Sequence, residues 1–377
     1  MKIKTKKDLY EYLEHNMTKS YDDLVEAGKY ERGRNLVKTY IVESNTSILE
    51  LNKNIKELEL SMERTNDSGF WILKVKEPRQ NSKATFYVDT YDPFSDNNQR
   101  FWIFYTVEKS EIADKYMEKL INPRISRLDN IWLDREFLLK FRDDLGVETK
   151  QIGIRYLDSL GENNEDEADN LSLKVNGKLL KIIINKLNEL EDKHFMAITS
   201  IGFKKSIQYD EDLNLMVLEN MYYNGKFSVK GTSFNEHLNI VNGVRKRYAN
   251  MLKTIEEEYE IYYEKKDFGI AVSGSPLLIS FKREIEDIDK FLNILLSTKR
   301  PFRLAGFKRK IDKNYYSVVG VDLHNGDKFE MDVSTEWIRL YLSNGACGNT
   351  ALRLVCNLQQ YYDAETKLEG VEYGRIV

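Results

Sequence analysis

Lys299–Lys310 reads KRPFRLAGFKRK, and Asn344–Tyr362 reads NGACGNTALRLVCNLQQYY. Between them, His324-Asn325-Gly326 separates two apolar runs. Asn-Gly in that position signals a β-hairpin, because the tightest hairpin turn needs positive φ at both turn residues. After it, Ala351, Leu352, Val355, Leu358 and Tyr362 recur at helical spacing, with Asn349 or Thr350 placed to cap the helix. Hairpin followed by helix is α+β grammar, and the rest of the chain repeats it.

The first of these segments is the densest basic cluster in the chain. Lys299, Arg300, Arg303, Lys308, Arg309 and Lys310 alternate with Pro301, Phe302, Leu304 and Phe307. The apolar residues pin the segment to the body and leave the cations outward. Cations on a fixed loop and strand suit phosphates, which position a nucleic-acid backbone without reading its sequence. Such contacts release counterions, so binding through them falls steeply with salt. Tyr315 and Tyr316 lie just downstream as stacking candidates.

The second segment supports a rival reading. Cys347 precedes a helix N-terminus, where unpaired N–H groups and the helix dipole stabilise a thiolate. His324 is the candidate base and Asp322 or Asp332 the residue that orients it, which is the constellation of a cysteine hydrolase. The same Gly-Ala-Cys-Gly loop alternatively offers its N–H groups to an anion.

Moving towards the N-terminus, Arg245, Lys246 and Arg247 form a second basic group. They open a helix expected to start at Gly243, with Val244, Tyr248, Met251, Leu252, Ile255, Tyr259 and Tyr262 as its apolar stripe. Cations in a first turn oppose the helix dipole, a placement that a bound phosphate would justify. Another Asn-Gly, at Asn224-Gly225, marks a second hairpin. Phe268–Val272 and Leu277–Phe281 read as strands joined by a Ser-Gly-Ser-Pro turn.

The expected architecture is α+β throughout. Residues 1–65 read as a helical N-terminal region, in which Ile48, Leu51, Ile55, Leu58 and Met62 form one helical stripe. Residues 66–157 read as a small antiparallel sheet with helices. Its aromatic strands (Trp71, Phe86, Tyr87, Phe101, Trp102, Phe104, Tyr105) are expected to form a core rather than a base-stacking face. Residues 158–172 read as an acidic loop or linker: after Leu160 it carries five acids and no large apolar residue up to Asn170. Residues 173–377 read as a larger C-terminal α+β domain of hairpins and helices.

Composition excludes several classes. The net charge of -4 over 377 residues is nearly neutral, so a polyanion must be met by local patches. No apolar run approaches the length of a membrane helix, so no membrane partner is expected. Met1-Lys2-Ile3-Lys4 has no apolar segment behind it, so no secretory leader is expected. Two cysteines make no disulfide framework, which favours a reducing cytoplasm. No phosphate-binding glycine loop occurs, and His15, His194, His237 and His324 have no metal-ligand spacing, so neither metal nor cofactor is expected. The Glu-x-Lys triplets Glu191-Asp192-Lys193 and Glu264-Lys265-Lys266 fall at expected helix ends, and Asp210-Glu211-Asp212 in an expected loop, so none of these three is expected to mark a nuclease.

The reading that best joins these features is a cytoplasmic, non-catalytic nucleic-acid-binding subunit of a larger complex, taking DNA or RNA. A composition rich in Lys, Asn, Ile and Tyr suggests an AT-rich prokaryotic genome, and with no housekeeping motif in the chain the expected setting is antiviral genome defence or mobile-element biology. The alternatives are the cysteine hydrolase and an interaction scaffold that meets a protein partner through its N-terminal helices.

Overall fold

The computed structural model describes residues 2–27, 36–55, 57–78, 82–96, 99–123, 126–160, 170–189, 194–208 and 214–369. Most of the acidic stretch expected at 158–172 lies outside these, as do Asp210-Glu211-Asp212 and the Glu-x-Lys triplet at 191–193. The protein is mixed α+β, with two mostly antiparallel sheets. It divides into two compact units, each assembled from three separate stretches of chain.

The first unit comprises Met1–Ile131, Phe141–Lys150 and Gly202–Ala249. At its centre is β1 (Val37–Ser44), all eight residues of which are buried. One neighbour is β5 (Phe101–Thr106), in register Thr39↔Tyr105 and Ile41↔Ile103. Beyond β5 follow β4 (Lys83–Asp89), β3 (Phe70–Lys76) and β2 (Glu59–Arg64). The other neighbour is β11 (Lys226–Gly231), then β10 (Asn214–Tyr222) and β9 (Ile198–Gln208). A short β6 (Leu128–Asn130) also pairs with β1.

Helices cover both faces of this sheet. Trp102 and Phe104 of β5 join the core beneath α2 (Ile48–Asn54) and α3 (Ser110–Ile121). Phe101 and Tyr105 turn the other way, against Tyr248 and Phe234 of α6 (Phe234–Glu258), at ring distances of 5.7 and 5.8 Å. A strand buried on both faces needs no polar alternation, which is why β5 reads FWIFYT. α1 (Lys6–Ala27) contributes Leu9, Leu13 and Met17, one stripe four residues apart and fully buried.

Three expectations change here. The region read as helical contains β1 and β2. The stripe from Ile48 to Met62 is not one helix: α2 ends at Asn54, and β2 then alternates with Leu60 and Met62 half-buried. A spacing of four satisfies both periods, so Leu58 to Met62 fitted either. Finally, α6 begins at Phe234, which places Arg245–Arg247 in mid-helix and removes the argument from the dipole.

The second unit comprises Trp132–Lys140, Gln151–Ile201 and Asn250–Val377. Asp134 accepts the Phe137 N–H at 2.8 Å and starts α4 (Arg135–Asp144). β7 (Glu148–Leu157) pairs with β8 (Asn170–Asn176), and α5 (Leu179–Asn188) closes a small core over them with Ile152, Ile154, Val175 and Leu180. The main sheet of this unit runs β13 (Gly269–Ser273), β12 (Glu260–Lys266), β18 (Trp337–Ser343), β17 (Lys328–Ser334), β16 (Tyr315–Asp322), β15 (Leu304–Asp312). β12 meets β18 in parallel, and β14 (Leu277–Ser280) pairs with β18 and with β19 (Lys367–Glu369). β13 and β14 therefore belong to different ladders and form no hairpin across Ser273–Pro276. α7 (Ile288–Leu295) starts on an Asp287 cap, and every residue of α8 (Asn349–Tyr361) up to Gln360 is buried.

The Asn-Gly pairs at 224–225 and 325–326 do mark hairpins, β10–β11 and β16–β17. Their turns are longer than the two-residue form. In each, the glycine takes positive φ (73° at Gly225, 90° at Gly326) and the asparagine does not. The three-residue loop Tyr223–Gly225 has the Gly225 N–H donating to Tyr222 at 3.1 Å, a turn followed by a left-handed glycine.

Candidate nucleic-acid interface

Lys299–Lys310 enters the second unit as a tight loop followed by an edge strand. The Arg303 N–H donates to the Lys299 carbonyl at 2.9 Å, and Phe302 is buried against Tyr361. β15 then alternates about the sheet. Leu304, Gly306, Lys308 and Lys310 share one side; Ala305, Phe307, Arg309 and Ile311 share the other. β15 pairs with β16 in register Phe307↔Val319 and Arg309↔Ser317, and on its other edge only Ala305 bridges, to Ser297, among the described residues.

The six cations divide by environment. Lys299, Arg300, Arg309 and Lys310 are exposed. Arg303 is buried at 7 % exposure with φ +57°, so the structure removes it from the phosphate set. Lys308 reaches Asp289 at 2.7 Å and Asn293 at 2.7 Å, which ties β15 to α7. The Lys308 hydrogen bond holds the Asp289 carboxyl below the usual carboxylate range. Lys310 lies 5.8 Å from the Tyr316 ring centre. Tyr316 is itself buried, so it is a packing residue and not a stacking platform. Phe307, in contrast, is 89 % exposed.

The second basic group belongs to the first unit. Arg245 is buried, donates to the carbonyls of Tyr91 and Phe101 at 3.1 and 3.4 Å, and lies over the Phe94 ring. It is a structural arginine and unavailable to a phosphate. Arg247 pairs with Asp144 and covers Phe141. Lys246 alone of the three is exposed.

The loop ahead of α8 is filled by the protein's own carboxylates. The Gly345 N–H donates to Glu260 at 2.7 Å, the Cys347 N–H to Asp327 at 2.8 Å and the Gly348 N–H to Glu256 at 2.9 Å. These are the donors that an anion, a thiolate or an oxyanion would need, so both the anion nest and the activated cysteine lose their basis. Both cysteines are buried, and burial pushes the Cys356 thiol well up. Asp322 accepts the backbone N–H of His324, the Thr350 hydroxyl and the Arg353 guanidinium. Burial opposes its charge, but Arg353 outweighs that and holds the carboxyl below its usual range. Asp322 is thus the anion of a buried ion pair, and His324, itself buried, sits in the hairpin loop.

A constellation that spacing did not reveal lies in the first unit. His237 places Nε2 2.8 Å from the Thr39 hydroxyl and Nδ1 2.9 Å from Glu219. The geometry is that of a proton relay, but all three side chains are buried, so it is read as a polar link between β1, β10 and α6. Desolvation raises the Glu219 carboxyl against the opposing effect of His237. Thr39, Glu219 and His237 are nearly 200 residues apart at the extremes, so only the strand order brings them together.

Among the described residues, no three His, Cys, Asp or Glu side chains are grouped to hold a metal, and no helix is long and apolar enough to cross a membrane.

A model of a family described as MJECL33-like protein matches residues 1–377. The chain is also 38% identical over 420 residues to a protein of Methanocaldococcus jannaschii named "Uncharacterized protein MJECL33", an alignment that covers 99% of this chain and 95% of that one. Both likenesses span the chain essentially from end to end, and it belongs to the MJECL33-like protein family.

Proposed function

We propose that this protein binds nucleic acid, chiefly through backbone phosphates, along the Lys299–Lys310 segment. The observation that supports the reading is the pairing of four exposed cations with an almost fully exposed phenylalanine on one loop and edge strand. Lys299, Arg300, Arg309 and Lys310 supply charge where the chain as a whole is nearly neutral. Arg303 and Lys308 hold the segment in place and make no phosphate contact. Lys246, the exposed residue of the second basic group, belongs to the other unit and is not part of this segment. In this reading the protein is a cytoplasmic, non-catalytic subunit of a larger nucleic-acid-handling complex, with prokaryotic defence as its setting.

The test is a charge reversal that spares the buried arginines. The variant carrying Lys299→Glu, Arg300→Glu, Arg309→Glu and Lys310→Glu is expected to keep the wild-type circular dichroism spectrum. Its affinity for a fluorescein-labelled oligonucleotide at low salt is expected to fall at least about a hundredfold, as loss of several phosphate contacts implies. A folded variant with an unshifted binding curve would refute the assignment.

A further inference from the structure

The main sheet of the second unit has two unlike faces. Its inner face is core: Val318, Met331, Ile338 and Leu340 are all buried. Its outer face is aromatic and cationic where a solvated antiparallel sheet is ordinarily polar. Strand register ties that face together. Phe307 lies opposite Val319, Val319 opposite Glu330, and Glu330 opposite Tyr341, one row across β15, β16, β17 and β18. The next row runs Arg309, Ser317, Asp332, Arg339. At the end of the face, the Arg339 guanidinium lies 4.5 Å over the Trp337 ring, and Tyr315 meets that ring at 6.1 Å.

Solvent reaches this surface. Phe307 is 89 % and Val319 57 % exposed, while Tyr315, Trp337 and Tyr341 are half-buried. With strands about 4.8 Å apart, Phe307 and Tyr341 stand roughly 14 Å apart. That span matches the two or three unstacked bases that a four-stranded sheet accommodates on its aromatics. The carboxylates on the face are accounted for in the same terms. Asp332 accepts the Tyr341 hydroxyl at 3.0 Å, and Glu330 is left as an acceptor for an exocyclic amino group of a base.

We infer that this outer face is a base-stacking platform and that the ligand is single-stranded nucleic acid, with Phe307 as the leading stacking residue. The inference rests on the phosphate-binding reading, since Arg309 shares this face with Phe307 and carries the backbone. A duplex keeps its bases stacked inside and offers Phe307 nothing to pair with. Sequence preference is expected to be weak, because every base has a π-face.

The experiment compares a mixed-sequence 12-nucleotide single strand with its duplex by fluorescence anisotropy, for the wild type, Phe307→Ala and Phe307→Tyr. The expected result is a preference of the wild type for the single strand. Phe307→Ala lowers single-strand affinity about tenfold, leaves duplex binding and its salt dependence unchanged, and is rescued by Phe307→Tyr. Phe307 is exposed, so the alanine variant is expected to fold. Equal affinity for both ligands, unmoved by Phe307→Ala, would overturn the stacking platform and leave phosphate binding standing. Absence of binding to either ligand would overturn both. If Phe307→Ala instead abolished self-association in sedimentation equilibrium without changing single-strand affinity, the face would be a protein contact and the inference would fail.

Discussion

Lys38 sits in the middle of β1 with its side chain buried and its ammonium donating to the carbonyls of Leu36 and Glu108. Desolvation, reinforced by Lys226, brings its pKa down from 10.5 to about 8. The sign of the consequence follows from proton counting. Below pH 8 both folded and unfolded chains hold the proton, and the fold carries the full cost of a buried charge. Between about 8 and 10.5 the unfolded chain binds more protons, so stability rises with pH. Urea denaturation is expected to show the wild type gaining about 1–2 kcal/mol between pH 7.5 and 9.5 relative to Lys38→Met. Parallel pH profiles for the two proteins would contradict this. At this scale the sequence showed which residues are charged but not which are enclosed. Arg245 and Arg303 look in the sequence like their exposed neighbours. They are buried because a mid-helix position and a left-handed loop residue turn them inward. Asp134, in contrast, does what its position allows locally: it caps α4 by accepting the N–H three residues on.

The two Asn-Gly hairpins show how one local signal conceals different surroundings. A Cβ at Gly225 would stand 2.3 Å from Ile131 Cγ1 and 2.9 Å from the Ile41 carbonyl. A Cβ at Gly326 would meet nothing within 4 Å. Both residues have positive φ, so alanine at either costs about 1–2 kcal/mol for the left-handed backbone. Gly225→Ala adds overpacking of about 1–3 kcal/mol. Chemical denaturation is therefore expected to find Gly225→Ala clearly the more damaging, and equal losses would show that the close approach at Ile131 relaxes freely. An element with one strong period, such as α8, was readable from spacing alone. The turn from α2 into β2 was not, because residues four apart serve a helix face and a strand face equally well. β1 was missed because VKTYIVES carries Lys and Glu, which read as surface. In the fold Lys38 finds carbonyls and Glu43 finds Arg100 at 2.8 Å, so both are tolerated inside.

At the scale of the whole molecule, α+β character was legible and the arrangement of the chain was not. The sequence suggested contiguous regions divided near residues 65 and 158. Each compact unit instead draws on three stretches, because β1 pairs with β11, almost 190 residues later, as well as with β5. Periodicity reports what a segment buries but not which distant segment covers it. The same limit applied to the candidate site. The basic cluster was visible in Lys299–Lys310, whereas the aromatic outer face became visible only when register aligned residues from four strands. The central claim is that four exposed cations of that segment take up phosphates. Its most direct test is the affinity of the wild-type protein for a mixed-sequence single strand, measured by anisotropy from 50 to 200 mM salt. About four phosphate contacts imply a slope of log K against log salt near about -3, and that is the result expected. An affinity independent of salt, or no binding at 50 mM, would contradict it.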